Sequence, residues 1–336
     1  MTAGADEEFD LHYVRTGPVS STPSVIIPGG PGMASIAPYR GFRKRAAELG
    51  LDIIMVEHRG VGMSRRDESG ADLPAEALTI TAVVDDIAAV LDDAGVDTAV
   101  VYGASYGSYL AAGLGVRHRD RVHAMVLDSP LLNSNDFDVV RRACRDLLCH
   151  DDSPLAAKVR ALTGNGAFGP EDLTIAAGIY GIGGADLLGH HLDLLLDGRR
   201  LLWSTMRFVT VNVARRKVLF HSESDLVEPI GFRELNFAGT PDGLPLDTAL
   251  TWRGVPAATV GFEAEPFDLV AEMPGFRWPT VVVSGGRDLI TPAAVAQRIA
   301  ELVPASTLVS LPTAAHSILD SQDGAALRIV SAVAGG

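Results

Sequence analysis

Apolar and polar positions follow two alternating rhythms along this chain. Short β-branched runs, S-V-I-I at 24–27, D-I-I-M-V at 52–56, A-V-V-Y at 99–102 and A-M-V-L at 124–127, each end in turn or loop residues and predict buried strands. Between them, residues 81–94 place Val83, Val84, Ile87, Val90 and Leu91 on one helical stripe, with Asp85, Asp86, Asp92 and Asp93 largely opposite. That spacing predicts an amphipathic helix. Residues 108–117 predict a second helix, rich in Ala and Gly and suited to close packing on a sheet. Strand–helix–strand repetition of this kind implies an α/β fold, a mainly parallel sheet with helices on both faces.

The rhythm stops at about residue 131. From there to 255 the chain reads as helices and loops, with one helical stretch over 186–198 that closes at Gly198. Glycine-rich interruptions fall at 164–169 and 181–184, and 241–245 reads as a loop. Strand patterns resume with T-V-V-V-S at 280–284 and T-L-V-S-L at 307–311. The expected organisation is one α/β core formed by 1–130 and 256–336, interrupted by a mostly helical insertion at 131–255.

Candidate chemistry sits where strands end. Gly103-Ala104-Ser105-Tyr106-Gly107 matches G-x-S-x-G between a strand and a helix. In that context the serine stands on a sharp, strained turn, and glycines two positions either side remove the collisions that side chains would cause. Ser105 is therefore the candidate nucleophile. A serine nucleophile needs a base, and the base an orienting acid. Asp288, in S-G-G-R-D-L-I-T-P, follows one later strand, and His316, in P-T-A-A-H-S-I-L, follows the next. Both would meet Ser105 at the carboxyl edge of the sheet. The loop I-P-G-G-P-G at 27–32 supplies backbone N–H groups for an oxyanion: Gly30, or else Gly29, together with Tyr106. Pro31 has no N–H to offer.

These segments resemble the α/β-hydrolase superfamily, and within it the proline iminopeptidase and tripeptidyl-aminopeptidase-like serine hydrolases. The resemblance is carried by P-G-G-P-G at 28–32, E-H-R-G-V-G-M-S at 57–64, G-A-S-Y-G-S-Y-L at 103–110, and the Asp288 and His316 segments. It spans nearly all of the core and little of the insertion. The family's H-G-G-P-G begins here with Pro28, and its D-Q-R-G reads Glu57-His58-Arg59-Gly60. The resemblance implies an α/β-hydrolase fold, a serine triad without a cofactor or metal, and a helical cap at 131–255 that selects substrate. It also implies acidic residues on the cap side that hold a substrate's free amino terminus. Glu223, Glu228, Glu234, Glu263 and Glu265 are available, with Glu263 the preferred candidate because its stretch loosely resembles a glutamate segment of the iminopeptidases. Trp203, with Phe208 and Phe220, is a candidate for lining an apolar pocket; core packing within the insertion is the competing assignment.

Composition narrows the partners. A net charge of −14 argues against nucleic acid, since phosphate binding needs clustered Lys and Arg. Two cysteines, Cys144 and Cys149, are too few for a disulfide framework and fit a reducing compartment. No apolar run reaches membrane-spanning length, and the acidic N-terminus lacks a secretory h-region, so a cytoplasmic location is expected. Adjacent His190 and His191 face different directions on a helix and make a poor metal pair. The expected function is a serine hydrolase of the aminopeptidase kind, acting on a small molecule or short peptide, with homo-oligomerisation left open. An esterase or lactonase of a small natural product is one alternative. A non-catalytic ligand receptor on the same fold is another.

Overall fold

A computed structural model of the chain describes residues 2–4, 7–214, 218–251 and 256–335. Strand β1 (Thr2–Gly4) pairs antiparallel with β2 (Glu7–Glu8), apart from the main sheet. That sheet contains β3 (Tyr13–Thr16), β4 (Ser24–Ile27), β5 (Ile53–Val56), β6 (Ala99–Ala104), β7 (Val122–Asp128), β8 (Thr280–Gly285) and β9 (Ser306–Leu311). Its order is β3-β5-β4-β6-β7-β8-β9. Only β3 runs antiparallel, against β5; the other neighbours are parallel.

The six strands expected from apolar runs are all present, to within a few residues at their ends. Strand β3 carries no such run: Y-V-R-T is half-buried at all four positions, so its sequence shows no alternation. Pairing with β5, not side-chain pattern, makes it a strand.

Strand period two divides the core between the two faces. Val25, Ile27 and Ile54 pack on one side with α2 (Ile80–Asp93), α3 (Tyr106–Arg117) and α11 (Ala293–Leu302). Ile26, Ile53 and Met55 pack on the other with α1 (Arg40–Glu48) and α13 (Asp323–Ala334). Between β7 and β8 lie α4 (Asp136–Arg145), α5 (Pro154–Gly164), α6 (Leu173–Leu196), α7 (Leu201–Ala214), α8 (Ser224–Val227), α9 (Pro229–Leu235) and α10 (Leu269–Glu272), and α12 (Ile318–Ser321) follows β9. Helices α5, α6 and α7 share a third apolar core, separate from the two on the sheet, built on Val159, Leu162, Ile179, Leu188 and Trp203. Among the described residues no helix is long and apolar enough to cross a membrane.

The glycine run at 181–184 interrupts less than its composition suggests. Helix α6 continues through it, with a local break at Gly184, whose φ of 67° is open to glycine. Gly198 behaves as expected, taking φ 77° one residue beyond the C-cap Asp197.

Asp86 departs from the amphipathic expectation. It is buried, and its two oxygens accept from Arg59 Nε and Nη2, each at 2.6 Å. Arg59 is also buried; its Nη1 donates to Ala77 O at 2.9 Å. A fork-on-carboxylate pair in the interior locks the 57–60 loop to α2. Removing one partner strands the other charge. Asp86→Ala should therefore lower unfolding free energy by about 3–5 kcal/mol in denaturant titration.

Candidate active site

The turn after β6 sets the geometry. Ser105 has φ 51° and ψ −122°, a conformation that side-chain-bearing residues rarely adopt. Its N–H donates to Asp128 O at 2.8 Å, so β7 holds the strained residue in place. The flanking glycines are required by contact. A Cβ on Gly103 would lie 2.2 Å from Gly107 O, and one on Gly107 would lie 2.2 Å from Ile27 O. Strand β6, helix α3 and the 28–32 loop meet there with no room for a methyl group. Ser105 itself is only half-buried and opens onto a cavity of about 450 Å³.

Asp288 and His316 arrive from the loops after β8 and β9. His316 Nδ1 is 2.9 Å from Asp288 Oδ2. Asp288 is saturated with donors: Ile290 N–H and Thr291 N–H reach Oδ1 at 2.8 Å each, and Thr291 Oγ1 donates to Oδ2 at 2.8 Å. Burial pushes the Asp288 carboxyl up, but the His316 charge, its hydrogen bond and the Thr291 donors hold it below the usual range. Burial likewise pushes the His316 imidazole down, and Asp288, helped by Asp128 and Asp320, more than reverses this, so the ring sits above its ordinary range. With Nδ1–H committed to Asp288, Nε2 is the ring nitrogen left free to accept a proton. His316 and Ser105 line the same cavity. No hydrogen bond joins them among the described residues, a looseness common before substrate binds.

The oxyanion candidates divide by position. Gly29 packs on Ser105, since a Cβ built on it would stand 3.2 Å from Ser105 Cβ and 3.7 Å from Oγ. Gly30 lines the cavity beside it at φ 135°. Tyr106, as the first residue of α3, presents a backbone N–H with no intrahelical partner. Its own ring is fully buried, with the hydroxyl 3.2 Å from His58 Nε2. Burial pushes the His58 imidazole down to about 4.

The helical segment grips this loop directly. Glu223 N–H donates to Gly32 O at 2.8 Å, and Ala34 N–H donates to His221 O at 3.1 Å. Behind them, buried Arg65 reaches Asp72, Glu223 and Asp225.

The acidic candidates separate sharply. Glu223 pairs with Arg65 and accepts from Phe220 N–H, Glu234 accepts from Ile80 N–H, and Glu265 accepts from Ser134 N–H. Each has a structural partner. Glu263, preferred on sequence, is exposed and lies outside the cavity wall; its loop points the side chain to solvent. Glu228 alone of the five lines the cavity, half-buried and with no hydrogen-bond or ion-pair partner among the described residues. Burial raises its carboxyl above the usual range. Trp203 also lies away from the cavity: its Nε1 donates to Asp172 at 2.8 Å and its ring belongs to the third apolar core. Phe208 and Phe220 are exposed and do not line it.

Four residues around the site escaped the sequence reading. Thr291 binds Asp288, and its signal was a hydroxyl three residues beyond a strand-end acid. Asp128 accepts from Tyr102 Oη at 2.8 Å and Leu319 N–H at 3.1 Å, and Ser129 Oγ accepts from Ser317 N–H at 2.9 Å. These two pin the His316 loop to the end of β7. Asp136, on α4, lines the cavity itself.

A family model described as alpha/beta hydrolase fold matches residues 23–145. Proline iminopeptidases of two Neisseria meningitidis strains, of serogroups A and B, are 29% identical over 121 residues; the match spans 36% of this chain and 36% of theirs. The structure of the proline iminopeptidase of Mycobacterium smegmatis superposes with TM-score 0.59 at 18% identity, covering 98% of this chain and 96% of that one. Est816, titled an N-acyl homoserine lactone degrading enzyme, superposes with TM-score 0.55 at 19% identity, covering 96% of each chain.

The Asp288–His316 pair generates a prediction independent of turnover. Followed by NMR, the His316 imidazole should titrate above the ordinary histidine value of 6.5. Asp288→Asn removes the charge responsible and should bring the midpoint down; a midpoint that stays in place would show that Asp288 does not set it.

Proposed function

On the premise that this chain has the α/β-hydrolase fold and resembles the proline iminopeptidases, we propose that it is a serine hydrolase cleaving a carboxylic amide or ester through an acyl-enzyme. The observation that carries this reading is the joint placement of strained Ser105 and Asp288-bound His316 on one cavity. His316 Nε2 takes the Ser105 proton as the hydroxyl oxygen attacks the substrate carbonyl. Asp288 orients the ring and stabilises the imidazolium. Backbone N–H groups of Gly29 or Gly30 and of Tyr106 receive the oxyanion. The imidazolium then protonates the leaving group, and water, activated by the same histidine, releases the acyl group.

Within this class we favour an aminopeptidase of the proline iminopeptidase type. Residues 131–255 act as the cap, and Glu228 holds the substrate's free ammonium. Support comes from Glu228's position: a half-buried carboxylate, unpaired among the described residues, in a cavity where none of the described lining residues is Lys or Arg. Such a group lowers its own burial cost by meeting a cation.

Ser105→Ala should lower turnover on the order of 10⁶-fold and abolish labelling by a fluorophosphonate probe. Undiminished turnover would overturn the assignment. Aminoacyl arylamides should be cleaved about 10- to 100-fold better than their N-acetylated forms, the worth of a charge-assisted hydrogen bond. Glu228→Gln should erase that difference by raising KM for the free amine. Short acyl esters cleaved with indifference to acetylation would instead point to an esterase or lactonase.

A further inference from the structure

Beside Glu228, the cavity contains a second acid whose full bonding capacity is not used. Asp136 begins α4, is only 7% exposed, and lines the cavity with Ser105 and His316. Its Oδ2 accepts from Leu132 N–H at 2.5 Å and Asn133 N–H at 3.1 Å. Its Oδ1 has no hydrogen-bond partner among the described residues. The two N–H groups account for one oxygen, and a neutral asparagine or serine would satisfy such a turn equally well. A buried carboxylate is costly unless a cation or further donors meet it.

Among the described residues no cation forms a hydrogen bond or ion pair with Asp136; the charge of Arg298, on α11, acts on it from a distance. Among the described residues no lysine or arginine lines the cavity. Arg298 on α11 is exposed, and Glu265, which adds negative charge nearby, is bonded to Ser134 N–H. Asp320, the third carboxylate in the cavity wall besides Glu228 and Asp136, is satisfied by Tyr39 Oη at 2.5 Å and Ser317 Oγ at 2.6 Å. Two carboxylates therefore face the cavity with capacity to spare, on separate elements: Glu228 at the head of α9 and Asp136 at the head of α4. The wall beside Asp136 is apolar, with Phe137 and Val140 from α4 and Leu173 from α6. Apolar walls ending in a carboxylate suit an aliphatic stem that carries a terminal cation.

We infer that Asp136 is a second cation subsite, receiving a primary amine at the end of an aliphatic side chain, as in a lysine- or ornithine-type acyl residue. This rests on the reading that Glu228 holds the α-ammonium, and it narrows the substrate class to acyl groups with two cationic centres. Asp136 acts here as a specificity-determining residue, remote from the reacting carbonyl.

The test uses this chain carrying Ser105→Ala and calorimetric titration with lysinamide and norleucinamide. The second ligand keeps the α-ammonium and the aliphatic stem but lacks the terminal amine. Titration is run at about pH 7, where Asp136, pushed up to about 6 chiefly by burial, is mostly ionised and the ligands' α-amino groups are mostly still protonated. Lysinamide should bind about 10-fold more tightly than norleucinamide. Asp136→Asn, which keeps an acceptor for both N–H groups, should bring the two affinities together. Glu228→Gln should weaken both ligands by the same factor. Equal affinities in the parent protein, or a lysinamide preference that survives Asp136→Asn, would overturn the subsite. If Asp136→Asn does not fold, the parent's affinity ratio decides alone. A native Ser105 that no probe labels would sink the hydrolase reading instead, and the titration would still decide the subsite.

Discussion

Everything at the candidate site depends on one steric constraint, the meeting of three backbone segments at the turn after β6. Gly103 abuts Gly107, and Gly107 abuts the carbonyls of Ile27 and Pro28, all closer than a methyl group permits. That contact draws α3 down onto the sheet edge and brings the 28–32 loop against Ser105. The strained backbone of Ser105 persists because Asp128 O and the packed strands around it over-determine its position. Ser129 and Ser317, both at positive φ and bonded to each other, repeat this arrangement under the His316 loop. Strain is concentrated where the chain presents its chemistry.

Charge is arranged on the same plan. The buried acids of the core have definite partners: Asp86 with Arg59, Asp288 with His316 and Thr291, Glu223 with Arg65. Those pairs fix loops relative to helices, and they link the helical segment to the loop beside Ser105. The cavity is the exception. Glu228 and Asp136 face it with unused acceptor capacity, and none of the described lining residues is Lys or Arg. In a chain of net charge −14, acidity by itself says little; unpaired acidity inside a cavity says what kind of ligand would be welcome.

Much of the core was legible because its signals are local. Buried parallel strands announce themselves as β-branched runs, and a nucleophile turn between strand and helix has a fixed glycine spacing. The chain order of Ser105, Asp288 and His316, each just beyond a strand, was readable for the same reason. Strand β3 was not, because its existence rests on pairing with β5. Asp86 looked like a solvent-facing residue on a polar stripe until Arg59 came to it from a different element. The chain alone does not separate the five glutamates for a related reason: Glu263 resembles a family segment, whereas of the five only Glu228 lines the cavity.

The sequence by itself determined six of the seven strands of the main sheet, the turn at Ser105 and the triad candidates, because each follows from spacing within a few residues or from the order of strand ends. Tertiary structure alone decided which acids are paired and which face the cavity. It also showed that the 218–223 stretch bonds the loop at 32–34, and that Trp203 lies in a core of its own. Those outcomes join residues tens to hundreds of positions apart. No local pattern encodes them, since a carboxylate reads the same in the chain whether its partner is an arginine, a backbone N–H or an empty pocket.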